Sequence, residues 1–185
     1  MKKKSIKRHL KPYSIFQKRK TTINHAFASA LSPNDSYNEE ILNAALILLG
    51  QNPNDDLKCV YCENKAETWD HLVGLVQNSQ LRGYGHQIGN LVPCCKDCNS
   101  KKGSKDWQQY LETEIENKQS RNLVIKRVGA YLKRYAKPVD MEKIKTRMPN
   151  EWKKYESLRE QILKLMKKAD EIADKIRNNG KQEYV

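Results

Sequence analysis

Three short segments decide the fold of this chain: CVYC at residues 59–62, WDHLVG at residues 69–74 and GNLVPCCKDCNSKK at residues 89–102. The first and the third each contain two cysteines separated by two residues. A tight turn lets both thiolates of such a pair reach one tetrahedral ion. The 32 residues between the two pairs exceed an ordinary zinc ribbon. We therefore expect a hairpin to be threaded between the pairs, with the metal replacing a core that so short a hairpin cannot build.

The five cysteines favour a structural Zn²⁺ site in a reducing compartment over a disulfide framework. Cys94 would find only Asp97 at the same spacing, and an aspartate is a poorer structural zinc ligand, so we leave Cys94 out of the site. Four buried free cysteines are the alternative interpretation. The expected zinc ligands are Cys59, Cys62, Cys95 and Cys98.

The net charge of +13 is unevenly distributed along the chain. Residues 1–34 contain nine Lys/Arg and no acid, residues 35–100 contain four Lys/Arg against nine Asp/Glu, and residues 101–185 contain 22 against 13. A polyanion would be held by the basic flanks and presented to the mildly acidic centre. The charge therefore predicts a polyanion, such as double-stranded DNA, as the partner; the alternative is that the Lys-rich termini only aid solubility.

The length and hydropathy limit the classes of protein to consider. A chain of 185 residues is one domain, or a compact domain with appendages, and can bury a sizeable core. No run of about 18 apolar residues exists, which argues against a membrane partner. The basic N-terminus is not followed by an apolar stretch, so we expect no secretory signal and a cytoplasmic location.

Periodicity and turn residues predict a mostly helical chain with one short hairpin. Polar residues between the two predicted strands indicate a loop at 77–85. An extended basic arm is expected over residues 1–20. The predicted helices are 22–31, 39–49, 96–115, 123–135 and 151–177, and the predicted strands are 68–75 and 87–93. Ser36 or Asn38 is expected to cap the second helix, and Asn150 the last.

An acid and a histidine are adjacent on the first predicted strand, and two asparagines follow. The side chains of Asp70 and His71 point to opposite sides of an extended strand. This geometry suits a carboxylate that faces a metal and an imidazole that faces a water molecule. Asn99 follows the last cysteine, and an Asp/Asn oxygen pair favours Mg²⁺ or Mn²⁺ over tightly held zinc.

Residues 59 to about 106 resemble the HNH (ββα-metal) endonuclease family, whose site is a hairpin followed by a helix around one catalytic metal. The resemblance implies that Asp70 and Asn99 are ligands of the catalytic metal and that His71 is the general base. It also implies that Asn90 fixes the loop that carries the base and does not touch the metal.

The resemblance implies an α+β, mostly helical protein with a zinc-stapled ββα-metal core and flanking basic helices. We divide the chain into a basic N-terminal arm with helices (1–50), an HNH nuclease core with a four-cysteine zinc site (51–118) and a basic helical region (119–185). The implied activity is phosphodiester hydrolysis by a DNA endonuclease, with a Type II restriction enzyme as the first choice. The alternatives are a less specific phage or defence HNH nuclease and a non-catalytic zinc-dependent DNA-binding protein.

Two further side chains lie close to these motifs. Lys102 comes three residues after Asn99 on the predicted helix and should face the same side, where it is a candidate for a phosphate contact; a solvated lysine is the alternative. His86 follows two glycines in GYGH. A structural role for His86 is favoured over help to the substrate or the leaving group, so it is not in the core set.

The last predicted helix has an apolar stripe with near-heptad spacing. Such a stripe forms the seam of a homodimer or packs on the rest of its own chain. A nuclease with one site per chain needs two copies to cut both strands, which favours the homodimer. The stripe consists of Trp152, Tyr155, Ile162, Leu165, Ala169, Ile172 and Ile176.

Overall fold

The computed structural model describes residues 3–8, 10–77 and 80–182. Helices dominate and the strands are short, which confirms the α+β, mostly helical class. Within the described ranges, no helix is both long and apolar enough to cross a bilayer. The elements are α1 (Ile15–Leu31), α2 (Glu39–Leu48), β1 (Thr68–His71), β2 (Val76–Gln77), β3 (Gln80–Leu81), β4 (Leu91–Cys94), α3 (Lys96–Lys102), α4 (Trp107–Glu114), α5 (Lys118–Tyr135), α6 (Met141–Arg147) and α7 (Pro149–Gln182), with 3₁₀ helices at Lys3–Arg8 and Ile88–Asn90.

The central hairpin pairs β1 with β4 in antiparallel register, with Asp70 opposite Val92 and His71 opposite Leu91. Both strands are shorter than predicted. Strand β1 ends at His71 because the next two backbone N–H groups both donate to Asn90. The N–H of Leu72 donates to the Asn90 carbonyl (2.9 Å), and the N–H of Val73 donates to the Asn90 side chain (2.9 Å).

The predicted polar loop at 77–85 contains part of a second hairpin, β2 with β3. The prediction of a loop is therefore wrong for this part of the chain. Within the 18 residues between His71 and Asn90, two short segments pair with each other. Residues 78 and 79 lie outside the described residues.

The chain forms two compact units. We call Ala28–Lys143 the hairpin unit, and Met1–Phe27 with Ile144–Val185 the helical unit. The boundaries differ from those of the three predicted segments, because α2 and α5 pack in the same unit as the hairpin.

The core of the hairpin unit lies between the β1–β4 hairpin and the helices α4 and α5. Helix α5 contacts the turn before β4, where the Tyr131 hydroxyl donates to the carbonyl of Ile88. The fully buried side chains of this core include Leu72, Val92, Tyr110, Leu111, Val128 and Tyr131.

In the helical unit, α1 and α7 run antiparallel. The backbone N–H groups of Ile15 and Phe16 donate to the Asp170 carboxylate (2.7 and 3.0 Å), which therefore caps the start of α1. At the other end, the Tyr155 hydroxyl donates to the carbonyl of Phe27 (3.0 Å), and the two rings lie 5.0 Å apart.

The termini of several elements correct the predictions. The N-terminal arm is not extended throughout: α1 begins at Ile15 rather than at residue 22, and a 3₁₀ helix covers Lys3–Arg8. Residues 1, 2 and 9 of the arm lie outside the described residues. Helix α7 begins at Pro149, so Asn150 lies inside it and is not its cap.

The helix predicted over 96–115 is divided in two. Helix α3 ends at Lys102, where Gly103 adopts a positive φ of 49°, and α4 starts after Asp106, whose carboxylate accepts from the backbone of Gln108 and Gln109. Helix α2 begins where predicted, because the Asn38 side chain accepts from the backbone N–H of Ile41.

Candidate metal centre and active site

The four predicted cysteines come together at one end of the hairpin. The Sγ atoms of Cys59, Cys62, Cys95 and Cys98 all lie within 4.8 Å of one another, and Cys62 and Cys95 are 3.7 Å apart. Zinc–sulfur bonds of about 2.3 Å in a tetrahedron place the sulfurs about 3.8 Å apart. The four cysteines could therefore hold one metal ion such as zinc, as predicted.

Local turns place each pair of thiols. The first pair closes around Glu63, which adopts a positive φ of 62° and donates its N–H to the carbonyl of Cys59 (2.9 Å). In the second pair, the Cys95 sulfur accepts from the backbone N–H of Cys98 (3.4 Å) and caps α3. The start of α3 is therefore tied directly to the cluster.

Cys94 lies beside the cluster but outside the group of four. It is buried, its sulfur accepts from the Cys59 thiol at 3.9 Å, and its own thiol donates to the carbonyl of Cys95 (3.2 Å). The hydrogen of Cys94 is therefore used by the backbone, and Cys94 contacts a ligand without being one.

Asp70 is buried and hydrogen-bonded inside the hairpin unit. Its Oδ2 atom accepts from the Tyr61 hydroxyl (2.7 Å) and from the Lys102 ammonium (3.0 Å), and Oδ1 lies 3.3 Å from the same ammonium. Burial, followed by the charge of Asp70, raises the pKa of Tyr61, so its hydroxyl stays protonated as a donor. Tyr61 lies between Cys59 and Cys62 and thereby connects the cluster to the acid.

Lys102 is not the free side chain that the sequence suggested. It is only 2% exposed, and its ammonium also donates to the carbonyl of His71 (2.9 Å). The predicted phosphate contact and the solvated alternative both fail in this structure, because the lysine compensates the buried charge of Asp70.

His71 lies half-buried beside a second histidine. Its Nε2 atom is 3.1 Å from Nδ1 of His86. Burial is the largest cause that lowers the pKa of His71, and the neighbouring His86 adds to this effect while Asp70 opposes it. The neutral imidazole is therefore favoured, which is the form that can accept a proton.

Asn90 connects the two segments that carry the histidines. It is fully buried. Its side-chain amide donates to the carbonyls of Val73 and Gly85 (3.0 Å each), and its oxygen accepts from the Val73 backbone (2.9 Å). Val73 follows His71 by two residues and Gly85 precedes His86, so one amide sets the spacing of both.

Asn99 lies on α3, one turn before Lys102 and therefore on the face that meets β1. Its side chain is half-buried and makes no hydrogen bond within the described part of the chain. The predicted cation site requires the amide oxygen of Asn99 and an oxygen of Asp70, and Oδ1 of Asp70 has only its longer contact with Lys102.

Two residues of the site were not in the predicted core set: Tyr61 and His86. The glycines of GYGH were a usable indication for His86, since they mark a close backbone approach: a Cβ atom on Gly85 would lie 2.0 Å from the carbonyl oxygen of Pro33. No local pattern indicates that Tyr61 reaches Asp70.

Comparison of the chain with known protein families, curated proteins and solved structures gives no match.

Proposed function

We propose that the protein is a metal-dependent DNA endonuclease that hydrolyses phosphodiester bonds in the manner of HNH enzymes. The observation that supports this most is the division of labour across β1. The Asp70 carboxylate faces α3, which carries Asn99, while the His71 imidazole lies beside His86. The buried Asn90 holds the segments around both histidines in place.

In the proposed reaction, an imidazole nitrogen of His71 accepts a proton from a water molecule. The water oxygen forms a bond to phosphorus, and the bond from phosphorus to the 3′ oxygen breaks. The leaving oxygen keeps the bonding electron pair and takes a proton from solvent, which gives 5′-phosphate and 3′-hydroxyl ends. The lowered pKa of His71 makes its neutral form available near neutral pH.

The oxygens of Asp70 and Asn99 would hold Mg²⁺ or Mn²⁺. Such an ion, when bound, offsets the charge on the scissile phosphate and on the leaving oxygen. Asp70 would share its carboxylate between the ion and the ammonium of Lys102, which lies 3.3 Å from Oδ1. The four thiolates of the cysteine cluster would hold Zn²⁺ in a structural role, because they fill its tetrahedral shell and leave no position for water.

Basic side chains in the hairpin unit support double-stranded DNA as the substrate. From residue 126 onward, α5 carries four exposed cations, and its last turns pack against the turn before β4. Cations on a helix next to the chemistry can neutralise phosphates on either side of a cleaved bond. Basic helices in the same chain as the proposed chemistry favour a Type II restriction enzyme as the specific form. The cations are Lys126, Arg127, Lys133 and Arg134.

The test is plasmid cleavage by purified wild type and His71→Ala in Mg²⁺, with EDTA as the metal-free arm. We expect the wild type to cut only with Mg²⁺ and the variant to lose about 10²–10⁴-fold in rate, since it lacks the proton acceptor. Binding of the plasmid should be unchanged. His25→Ala, which removes an exposed imidazole on α1, is the matched control and should cut like the wild type.

The outcomes separate the candidate functions. Full cleavage by a folded His71→Ala protein would remove the HNH mechanism. Tight binding by a wild type that never cuts would favour the non-catalytic zinc-dependent DNA-binding protein. Sequencing the ends from a digested genome distinguishes a restriction enzyme, which leaves one repeated sequence, from a less specific nuclease.

A further inference from the structure

The contact between His71 and His86 has a chemical consequence for the proposed reaction. Its two nitrogens are 3.1 Å apart, and only one of them can carry the shared hydrogen. If His86 Nδ1 donated, the lone pair at His71 Nε2 would be occupied and His71 Nδ1 would carry a proton. If His71 Nε2 donates, His71 Nδ1 keeps a free lone pair.

The loop that carries His86 is fixed by its backbone. The N–H of His86 donates to the carbonyl of Pro33 (2.9 Å), and its carbonyl accepts from the N–H of Asp35 (3.2 Å). The Asp35 carboxylate in turn accepts from the N–H of Ile88 (2.8 Å). These bonds anchor the backbone on both sides of His86, so its position is set by the fold.

Glycines allow the same loop to approach a second segment, the one that follows α5. A Cβ atom on Gly83 would lie 2.0 Å from the carbonyl oxygen of Val139, and one on Gly89 would lie 2.0 Å from the backbone nitrogen of Ala136. Gly83 also has a φ of 78°, a conformation that favours glycine. The loop is therefore held between two parts of the hairpin unit.

The segment that carries His71 is also fixed by hydrogen bonds. The carbonyl of His71 accepts from the Lys102 ammonium, and the Asn90 side chain bonds both the N–H and the carbonyl of Val73. Since the same amide also binds the carbonyl of Gly85, the two imidazoles meet at a distance that the buried network sets. Two histidines that touched by chance on a surface would not share such a support.

We propose that His86 is a positioning residue for the proposed nuclease reaction: its Nδ1 atom accepts from Nε2–H of His71, which aims the imidazole and leaves His71 Nδ1 as the proton acceptor. The inference rests on the proposed function. When His71 takes the proton from water at Nδ1, its Nε2–H is still donated to His86, so no hydrogen bond is lost during the step. Partners that fix the tautomer and ring orientation of metal-bound histidines are worth about 10–100-fold in activity, and we expect an effect of this size for the orientation of His71.

The experiment compares His86→Leu with His86→Asn. The Oδ1 atom of asparagine occupies nearly the place of histidine Nδ1 and can accept from His71, whereas leucine fills the space and cannot accept. We expect His86→Leu to cut a plasmid about 10–100-fold more slowly in single turnovers with saturating Mg²⁺. His86→Asn should stay within a few-fold of wild type, with an unchanged Kd for the plasmid in both variants.

Nitrogen-15 NMR of the histidine rings adds a readout that does not depend on cleavage. We expect His71 of the wild type to carry its hydrogen on Nε2 when neutral, and His86→Leu to lose this preference. A hydrogen on Nδ1 of His71 would overturn the inference even if a variant folded poorly. So would wild-type cleavage by His86→Leu, or equal damage from leucine and asparagine. A wild type that does not cut at all would instead count against the proposed function.

Discussion

The hairpin unit and the helical unit are stabilised in different ways. In the hairpin unit, large side chains such as Tyr110 and Tyr131 are fully buried, and so are polar groups such as Asn90 and Lys102. In the helical unit, no residue with a described side chain is fully buried. Along α7, four large apolar side chains are between 48% and 68% exposed: Leu158, Leu165, Ile172 and Ile176.

The two units differ in how strictly their sequences fix the positions of side chains. Buried polar groups must find partners of one geometry, so they fix side chains to within the tolerance that chemistry needs. Two helices that pack through half-buried side chains fix the positions of those side chains much less strictly. The proposed chemistry lies entirely in the first unit, and the exposed apolar side chains of α7 in the second. Changes to the two units should therefore have very different consequences.

Loss of one cluster cysteine should have the largest effect. Without four thiolates the metal is lost, and structural zinc supplies much of the folding free energy of small metal modules. We expect Cys98→Ser to lose its bound metal and the cooperative unfolding of the hairpin unit, while the α1–α7 pair keeps part of the helical signal. Elemental analysis and circular dichroism measure the two.

Cys94→Ala is the matched control, because Cys94 is buried beside the cluster but outside it. It should keep one metal ion per chain. If Cys98→Ser unfolded both units together, or if folded wild type contained no metal, the contrast between the units would be wrong.

Removal of the Lys102 ammonium beside Asp70 should have the next largest effect on stability. Lys102→Met leaves the Asp70 carboxylate buried without its cation, and breaking such a pair from one side costs about 3–5 kcal/mol. We expect a loss of this size in urea unfolding without Mg²⁺, and a smaller loss with Mg²⁺ if the ion binds Asp70. The control Lys101→Met removes a 63% exposed lysine that lies 4.0 Å from Glu114, and should cost below about 0.5 kcal/mol.

An equal loss with and without Mg²⁺ would argue against Asp70 as a ligand of the catalytic metal. A small loss in both conditions would show that Lys102 and Asp70 are not coupled as their 3.0 Å contact indicates.

Short-range patterns were sufficient to predict the parts of the hairpin unit that depend on nearby residues. Asn38 caps α2 through an amide three residues away, and each cysteine pair closes a local turn. The convergence of both pairs on one site followed from metal chemistry, since a single pair offers only half of a tetrahedral shell. The cluster was therefore predictable even though 32 residues separate the pairs.

Contacts set by distant segments could not be predicted. The start of α1 was missed because its cap is Asp170, 155 residues from Ile15 in sequence. His86 was underrated because its position depends on a loop that docks on Pro33. The burial of Lys102 depends on how α3 packs on β1, which the spacing of residues on one helix does not determine.

The basic segment before α1 should affect DNA affinity without affecting the fold. Although an arm was predicted over residues 1–20, α1 begins at Ile15, so deletion of residues 2–11 removes six Lys/Arg and spares the Asp170 cap. We expect weaker plasmid binding, with the slope of log affinity against log salt reduced by about 0.9 for each phosphate that the segment neutralises. The measurement is a binding titration at several salt concentrations. An unchanged slope would assign DNA binding to other cations, such as those of α5.

The exposed apolar side chains of α7 should matter least for the stability of one chain. The predicted seam is divided in the structure: Tyr155 contacts Phe27 of the same chain, whereas Leu165 and Ile172 are 64% and 48% exposed. The double variant Leu165→Gln with Ile172→Gln should change the free energy of unfolding by only about 0.5 kcal/mol, as surface substitutions do.

The same variant tests whether these side chains pair two copies on DNA. If they do, the variant should be monomeric in analytical ultracentrifugation and should only nick a plasmid of which the wild type cuts both strands. Glu160→Gln, an exposed change on the same helix, is the control. A double-strand cut by the monomeric variant would refute the dimer, whereas a large loss of stability would show that these side chains pack within the chain.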